Sequence, residues 1–168
     1  MSLLSNNKTF YINLIIIFSI FILDRLTKVY VIYLNKINGS SEIFSSKFLD
    51  IYLIWNEGIA FGFFSFDENR LYNFLTLFIL VIILVILFMI SKSSGFKKYS
   101  LLMIFGGALG NVFDRIIYKA VPDFIVFHVG NFHWFIFNLA DIFITIGVFF
   151  MIIFEIFNNN KKKKYEIL

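Results

Sequence analysis

Apolar positions along the chain gather into four long runs, at about 10–33, 71–90, 99–118 and 135–157, with shorter polar stretches between them. A hydrocarbon core about 30 Å thick takes roughly 20 helical residues to cross, so each run predicts a transmembrane helix. The expected fold is an integral membrane protein, mainly α, in which residues 1–157 form a single domain of four transmembrane helices. Lys8 ahead of the first run is like the start of a secretory signal, but no small-residue cleavage site follows. Asp24, Arg25 and Lys28 interrupt the same run, and a retained span is expected.

The outer segments, 34–70 and 119–134, carry a different pattern. Phe48 to Phe66 is rich in β-branched and aromatic residues around a Gly-containing middle, and Phe124 to Phe135 holds Gly130-Asn131 between apolar arms. The second is a two-residue hairpin signal, and together they predict a small extracytoplasmic β platform. The Asn/Lys-rich end, 158–168, is expected to be a disordered cytoplasmic tail.

Composition agrees with a membrane setting: 60% of the 168 residues are hydrophobic and 15% charged, against about 25% charged in a soluble domain. Cysteine is absent, which excludes disulfides, a thiolate nucleophile, Cys-ligated metals and a lipid-modified cysteine on this chain. The formal charge of +4 is concentrated in Lys161 to Lys164, a pattern suited to anionic lipid headgroups rather than to nucleic acid. Lys8, Lys92, Lys97, Lys98 and the terminal lysines share one side if the spans alternate, so both termini are expected in the cytoplasm.

An ionisable side chain inside a bilayer is expensive unless paired or wet, so each marks a candidate site. Counted at the helical rise, Asp24 on the first span, Asp114 on the third and Asp141 on the fourth all fall roughly 21 Å from the inner surface. Residues three or four apart share a helix face, which pairs Asp24 with Lys28, Asn111 with Asp114 and Arg115, and Asn138 with Asp141. Gly106, Gly107 and Gly110 would let another helix approach closely. The expected result is one polar pocket in the outer leaflet, roofed by Asn56 to Phe63 and by Asp123, with the second span as a wall.

The chemistry open to such a pocket is narrow. The two histidines, His128 and His133, fall on the expected hairpin, so a metal centre or a histidine triad has little support and no cofactor is implied. Two aspartates sharing a proton can activate water and protonate a leaving group. Asp24, Asp114, Asp123 and Asp141 are all candidates for that pair, and spacing does not choose among them. Asp123 can fold back over the pocket only if the chain turns, for which Pro122 is the expected place.

Five strings, in order along the whole chain, carry a resemblance: D-R-L-T-K from Asp24, N-E-G-I-A-F-G from Asn56, G-G-A-L-G-N-V-F-D-R from Gly106, V-P-D-F from Val121 and F-N-L-A-D from Phe137. Together they resemble the lipoprotein signal peptidases (signal peptidase II). The resemblance implies an aspartic endopeptidase with Asp123 and Asp141 as its catalytic dyad, cutting a prolipoprotein before its diacylglyceryl-modified cysteine. It implies that Asn56, Gly58, Asn111, Arg115, Asn138 and Ala140 line the substrate site, with Asp24, Lys28 and Asp114 as polar support. Glu57 and Ile59 depart from the family strings, which commonly have a threonine and a small residue there. The expected partners are the lipidated substrate and membrane lipid, and the expected form is a monomer in the bacterial cytoplasmic membrane. Two other readings use the same residues: a small transporter or proton relay through Asp24, Asp114 and Asp141, and a non-catalytic assembly factor. A relay needs polar groups in the cytoplasmic half, where only Asn13, Ser19, Ser100 and Thr145 occur.

Overall fold

The computed structural model describes residues 2–58, 68–130 and 132–166, with side chains at 8–58, 72–130 and 132–158. Among them the element order is α1 (Ser2–Asn38), β1 (Glu42–Ser45), β2 (Leu49–Asn56), α2 (Glu68–Lys92), α3 (Gly95–Tyr118), β3 (Val121–Val129), β4 (Phe132–Phe137) and α4 (Leu139–Glu166). Helices dominate, and the four strands form one antiparallel sheet in the order β1-β2-β3-β4.

The α3 helix is the buried one, and α1, α2 and α4 all pack against it. Its small residues make this possible. A Cβ on Gly106 would meet the Ile20 side chain of α1 at 3.0 Å, and one on Gly107 would meet the Ala140 carbonyl oxygen of α4 at 2.5 Å. Away from that seam the core is aliphatic, with Ile83, Ile86 and Ile90 of α2 against Leu101, Leu102, Ile104 and Phe105 of α3. The outward faces carry Phe18, Phe78, Phe88, Phe149 and Ile152 exposed, as a surface facing lipid tails requires.

Among the described residues three helical stretches are long and apolar enough to cross a membrane: Tyr72–Lys92, Gly95–Tyr118 and Leu139–Asn158. The α1 helix, whose middle holds Asp24, Arg25 and Lys28, is not among these three.

Several boundaries differ from those read off the sequence. The fourth helix begins at Leu139, because Phe132–Phe137 pairs with β3 as a strand (Ile125 opposite Phe137, His128 opposite His133). A short apolar run cannot by itself distinguish strand from helix, and what marks the junction is one polar residue, Asn138, a helix-capping residue with an acid three positions on. Strand β1 had no pattern of its own. The reversal after α3 falls at Lys119, which is left-handed at φ 58°, and not at Pro122, which lies in β3 opposite Trp55. The backbone of α4 continues to Glu166, where a disordered tail was expected; from Val148 onward the sequence offers no Gly or Pro to end the helix. Of the expected roof, residues 59–63 lie outside the described residues.

The sheet sits across one end of the bundle, where Leu53 and Phe124 pack on Val31 of α1. Its registry decides the site. Asn56 lies opposite Val121, and Ile125 opposite Phe137, so the ends of β2 and β4 both lie along the first half of β3.

Candidate active site at the strand ends

Where the three strand ends meet, Asn138 links β4 to α4. It is the residue before the first turn of that helix, and Asp141 is the third residue of it. The Asp141 backbone N–H donates to Asn138 Oδ1 at 3.1 Å, and the Asn138 backbone N–H donates to Asp141 Oδ2 at 3.1 Å. This reciprocal arrangement is a capping box, which satisfies amides that a helix start otherwise leaves orphaned. The Asn138 side chain, fully buried, also donates from Nδ2 to Asp123 Oδ1 at 2.6 Å. One residue thus fixes both aspartates.

Each carboxylate has a second amide partner. Asn111 of α3 donates from Nδ2 to Asp141 Oδ1 at 2.8 Å, and Asn56, at the end of β2, donates from Nδ2 to Asp123 Oδ2 at 2.9 Å. Asn56 is itself oriented by the Gly58 backbone N–H, which donates to its Oδ1 at 2.8 Å across a turn that needs φ +82° at Gly58. A side chain at Gly58 would be strained by that φ and would also displace the end of Leu75.

Asp123 is almost fully buried and Asp141 half-buried. Burial pushes the Asp123 carboxyl up to about 6; the hydrogen bonds from Asn56 and Asn138 oppose the rise, and the nearby Asp141 charge adds to it. A carboxyl so placed keeps its proton at pH values where an exposed aspartate has lost it.

Beneath the pair lies a closed ionic network. Lys28 Nζ is 3.0 Å from Asp24 Oδ2 on its own helix and 2.7 Å from Asp114 Oδ2 on α3. It also donates to Asn111 Oδ1 at 2.8 Å, which leaves the Asn111 amide nitrogen to point at Asp141. Arg25 donates to both oxygens of Asp114 and, at 2.8 Å, to Asp24 Oδ2. Asp24 Oδ1 in turn accepts the Ala140 backbone N–H at 3.1 Å, so α1 helps to cap α4. Asp24, Lys28 and Asp114 are fully buried. Two carboxylates and two cations balance, which is the condition for burying any of them.

The structure brings Asn56, Gly58, Asn111, Asp123, Asn138, Ala140 and Asp141 to one place, with Asp24, Lys28 and Asp114 directly below. Arg115 stands at the edge, its Nη1 3.4 Å from the Asn111 carbonyl and its Nε without a hydrogen-bond partner among the described residues. Glu57 is exposed, and Ile59 lies outside the described residues. Arg25 is the residue that spacing missed, because it is adjacent to Asp24 rather than a turn away. The signal was available: an arginine within an apolar run demands a carboxylate on another helix, and Asp114 is at its level.

An open cavity of about 560 Å³ leads to Asp141 between the β3–β4 hairpin and α4. Its walls are Phe127, Trp134, Phe135, Phe137, Ile142 and Ile146, so the approach is apolar and the end of it acidic.

Fold and site together define a helical membrane protein whose polar groups converge on two aspartates. The profile described as "Signal peptidase (SPase) II" matches residues 16–157. A lipoprotein signal peptidase of Pelagibacter ubique is 53% identical over 157 residues, covering 94% of this chain and 95% of the relative. One of Anaplasma marginale is 36% identical over 156 residues, covering 92% and 89%. A solved bacterial membrane enzyme, crystallised in meso, superimposes with a TM-score of 0.70 at 28% identity over 84% of this chain and 90% of the other. The chain belongs to the signal peptidase II family.

Proposed function

We propose that this protein is an aspartic endopeptidase of a bacterial cytoplasmic membrane, removing signal peptides from prolipoproteins by cutting before the diacylglyceryl-modified cysteine. The observation that carries the reading is the shared tether of Asp123 and Asp141 on Asn138, with one carboxyl buried and raised to about 6. A dyad needs one acid and one base at the same pH. Asp123 is the acid. Asp141, with an N–H donor at each oxygen and a place in the first turn of α4, is the base.

Water held between them attacks the scissile carbonyl carbon as Asp141 takes its proton and Asp123 protonates the carbonyl oxygen. The resulting diol collapses when the Asp141 proton passes to the departing nitrogen and Asp123 recovers its own. The C–N bond breaks, giving the signal peptide carboxyl end and the free amine of the lipidated cysteine. Asn56, Gly58, Asn111, Arg115, Asn138 and Ala140 hold the substrate backbone, and the apolar cavity beside Asp141 accommodates its hydrocarbon portions.

In the same reading α1 is a fourth crossing, its charges neutralised by α3, with both termini cytoplasmic, residues 158–168 a cytoplasmic extension and the aspartates near the outer leaflet. The protein works as a monomer, its substrate arriving laterally among membrane lipids. The packing of the first half of α3 against α2, through Ile83, Ile86, Leu101, Leu102 and Phe105, is apolar, which argues against a proton relay. The test is cleavage of a diacylglyceryl-modified prolipoprotein by purified, detergent-solubilised protein. Wild type is expected to cut, while Asp123→Asn and Asp141→Asn, folded but unable to exchange the proton, lose activity by a factor of 1,000 or more, on the order of what a proton-transferring group and its partner supply. Normal turnover by Asp141→Asn would sink the mechanism.

A further inference from the structure

The far end of the sheet carries a second group of chemistry-bearing residues. His128 on β3 and His133 on β4 are directly paired across the ladder, their rings stacked with centroids 5.3 Å apart and an interplanar angle of 22°. Asp50 on the next strand, β2, places Oδ2 3.2 Å from His128 Nε2. One donor atom from each of the three lies within 4.8 Å of the other two.

We propose that Asp50, His128 and His133 form a binding site for a divalent transition-metal ion of the zinc type, clamping three adjacent strands. Two imidazoles and a carboxylate are a donor set that such ions take, with bonds of about 2.0–2.2 Å and an open fourth position for water. The backbone sets the three positions on neighbouring strands, so the donors start within 4.8 Å of one another. The surroundings orient the ligands as outer partners of metal sites do. The Ser45 hydroxyl donates to Asp50 Oδ1 at 2.7 Å, which turns Oδ2 towards the histidines. The Phe48 carbonyl accepts the His128 backbone N–H at 3.1 Å and fixes that residue over the β1–β2 turn. Without metal, His128 Nε2 donates to the Ser46 carbonyl at 3.0 Å. Binding moves this proton to Nδ1 and frees the Nε2 lone pair.

The site stands apart from the aspartates. His128 is five residues beyond Asp123 on β3, roughly 16 Å along a strand. Spacing in the sequence could not reveal it, because Asp50 comes from a strand formed far earlier in the chain.

The chain has two histidines and no cysteine, so an imidazole-bound metal in tag-free protein reports this pair. Full-length, tag-free protein in detergent, stripped by chelator, would be titrated with Co²⁺ followed by visible absorption, then with Zn²⁺ in competition. Saturable binding of one ion per chain is expected, with affinity lowered about tenfold or more in His133→Ala and in Asp50→Asn. Zn²⁺ is expected to raise the Tm of wild type but not of His133→Ala. His133 is on an exposed edge strand, so that variant should keep the fold, checked by its elution and far-UV dichroism. No saturable spectrum with wild type, or unchanged affinity in both variants, overturns the site; the second outcome would mark Asp50 and His128 as a hydrogen-bonded pair only. Neither readout uses peptidase activity.

Discussion

Asn138 performs three tasks with one side chain and one backbone amide: it starts α4, holds Asp141 and holds Asp123. Asn56 donates to one of the two carboxylates, Asp123, and caps no helix, which makes it the cleaner probe of that carboxyl. Its hydrogen bond favours the charged carboxylate, so removing it leaves burial less opposed and moves the Asp123 carboxyl further above its present value of about 6. If the acid form of Asp123 is the working one, kcat/KM in wild type falls as pH rises through about 6, since the proton is lost there. In Asn56→Ala the same fall should come at higher pH, whatever the loss in absolute rate. A pH–rate profile of both proteins checks this, and a limb shifted to lower pH would contradict the assignment. Asp24, Lys28, Asn111, Asp114, Asn138 and Asp141 were visible in sequence because a polar residue in an apolar run needs a partner, and helical spacing supplied some of them. Asp123 was not visible that way. Its place depends on strand registry, and only the likeness of V-P-D-F to a known string pointed to it.

The α3–α4 seam sets how far Asp141 stands from its partners. With Gly107 against the Ala140 carbonyl there is no flexible side chain to yield, so a methyl group must push the helix away. Gly107→Ala is expected to lower stability by about 1–3 kcal/mol, the usual range for overpacking. Activity should fall with it, because Ala140 and Asp141 move together. Thermal unfolding in detergent beside a cleavage assay would test both. The long elements were legible as runs of apolar residues, and the hairpin as Gly130 between apolar arms. Strand β1 was not, because a four-residue strand has no periodicity to read, and the true start of α4 is marked only by the Asn138 cap, with Asp141 three positions on, inside an otherwise apolar stretch.

At the scale of the molecule, the buried network of Asp24, Arg25, Lys28 and Asp114 joins the first helix to the third. Lys28→Met keeps the bulk of the side chain but leaves two carboxylates facing one arginine. Removing one partner of a buried pair costs about 3–5 kcal/mol, so this variant should unfold at clearly lower temperature than wild type. It should also lose cleavage, since Asn111 is no longer held with its amide towards Asp141. A Tm indistinguishable from wild type would mean the network is wet rather than sealed.

The network also has a consequence in time. Arg25 and Asp114 lie 89 positions apart, so during synthesis α1 is complete long before its balancing carboxylate exists. If α1 is the fourth crossing proposed above, then until α3 arrives it carries two cations against Asp24 alone, an excess of charge that a bilayer does not welcome. Nascent chains halted before Asp114 should therefore hold α1 loosely, at the insertion machinery or the membrane surface, and those halted beyond it should hold it firmly.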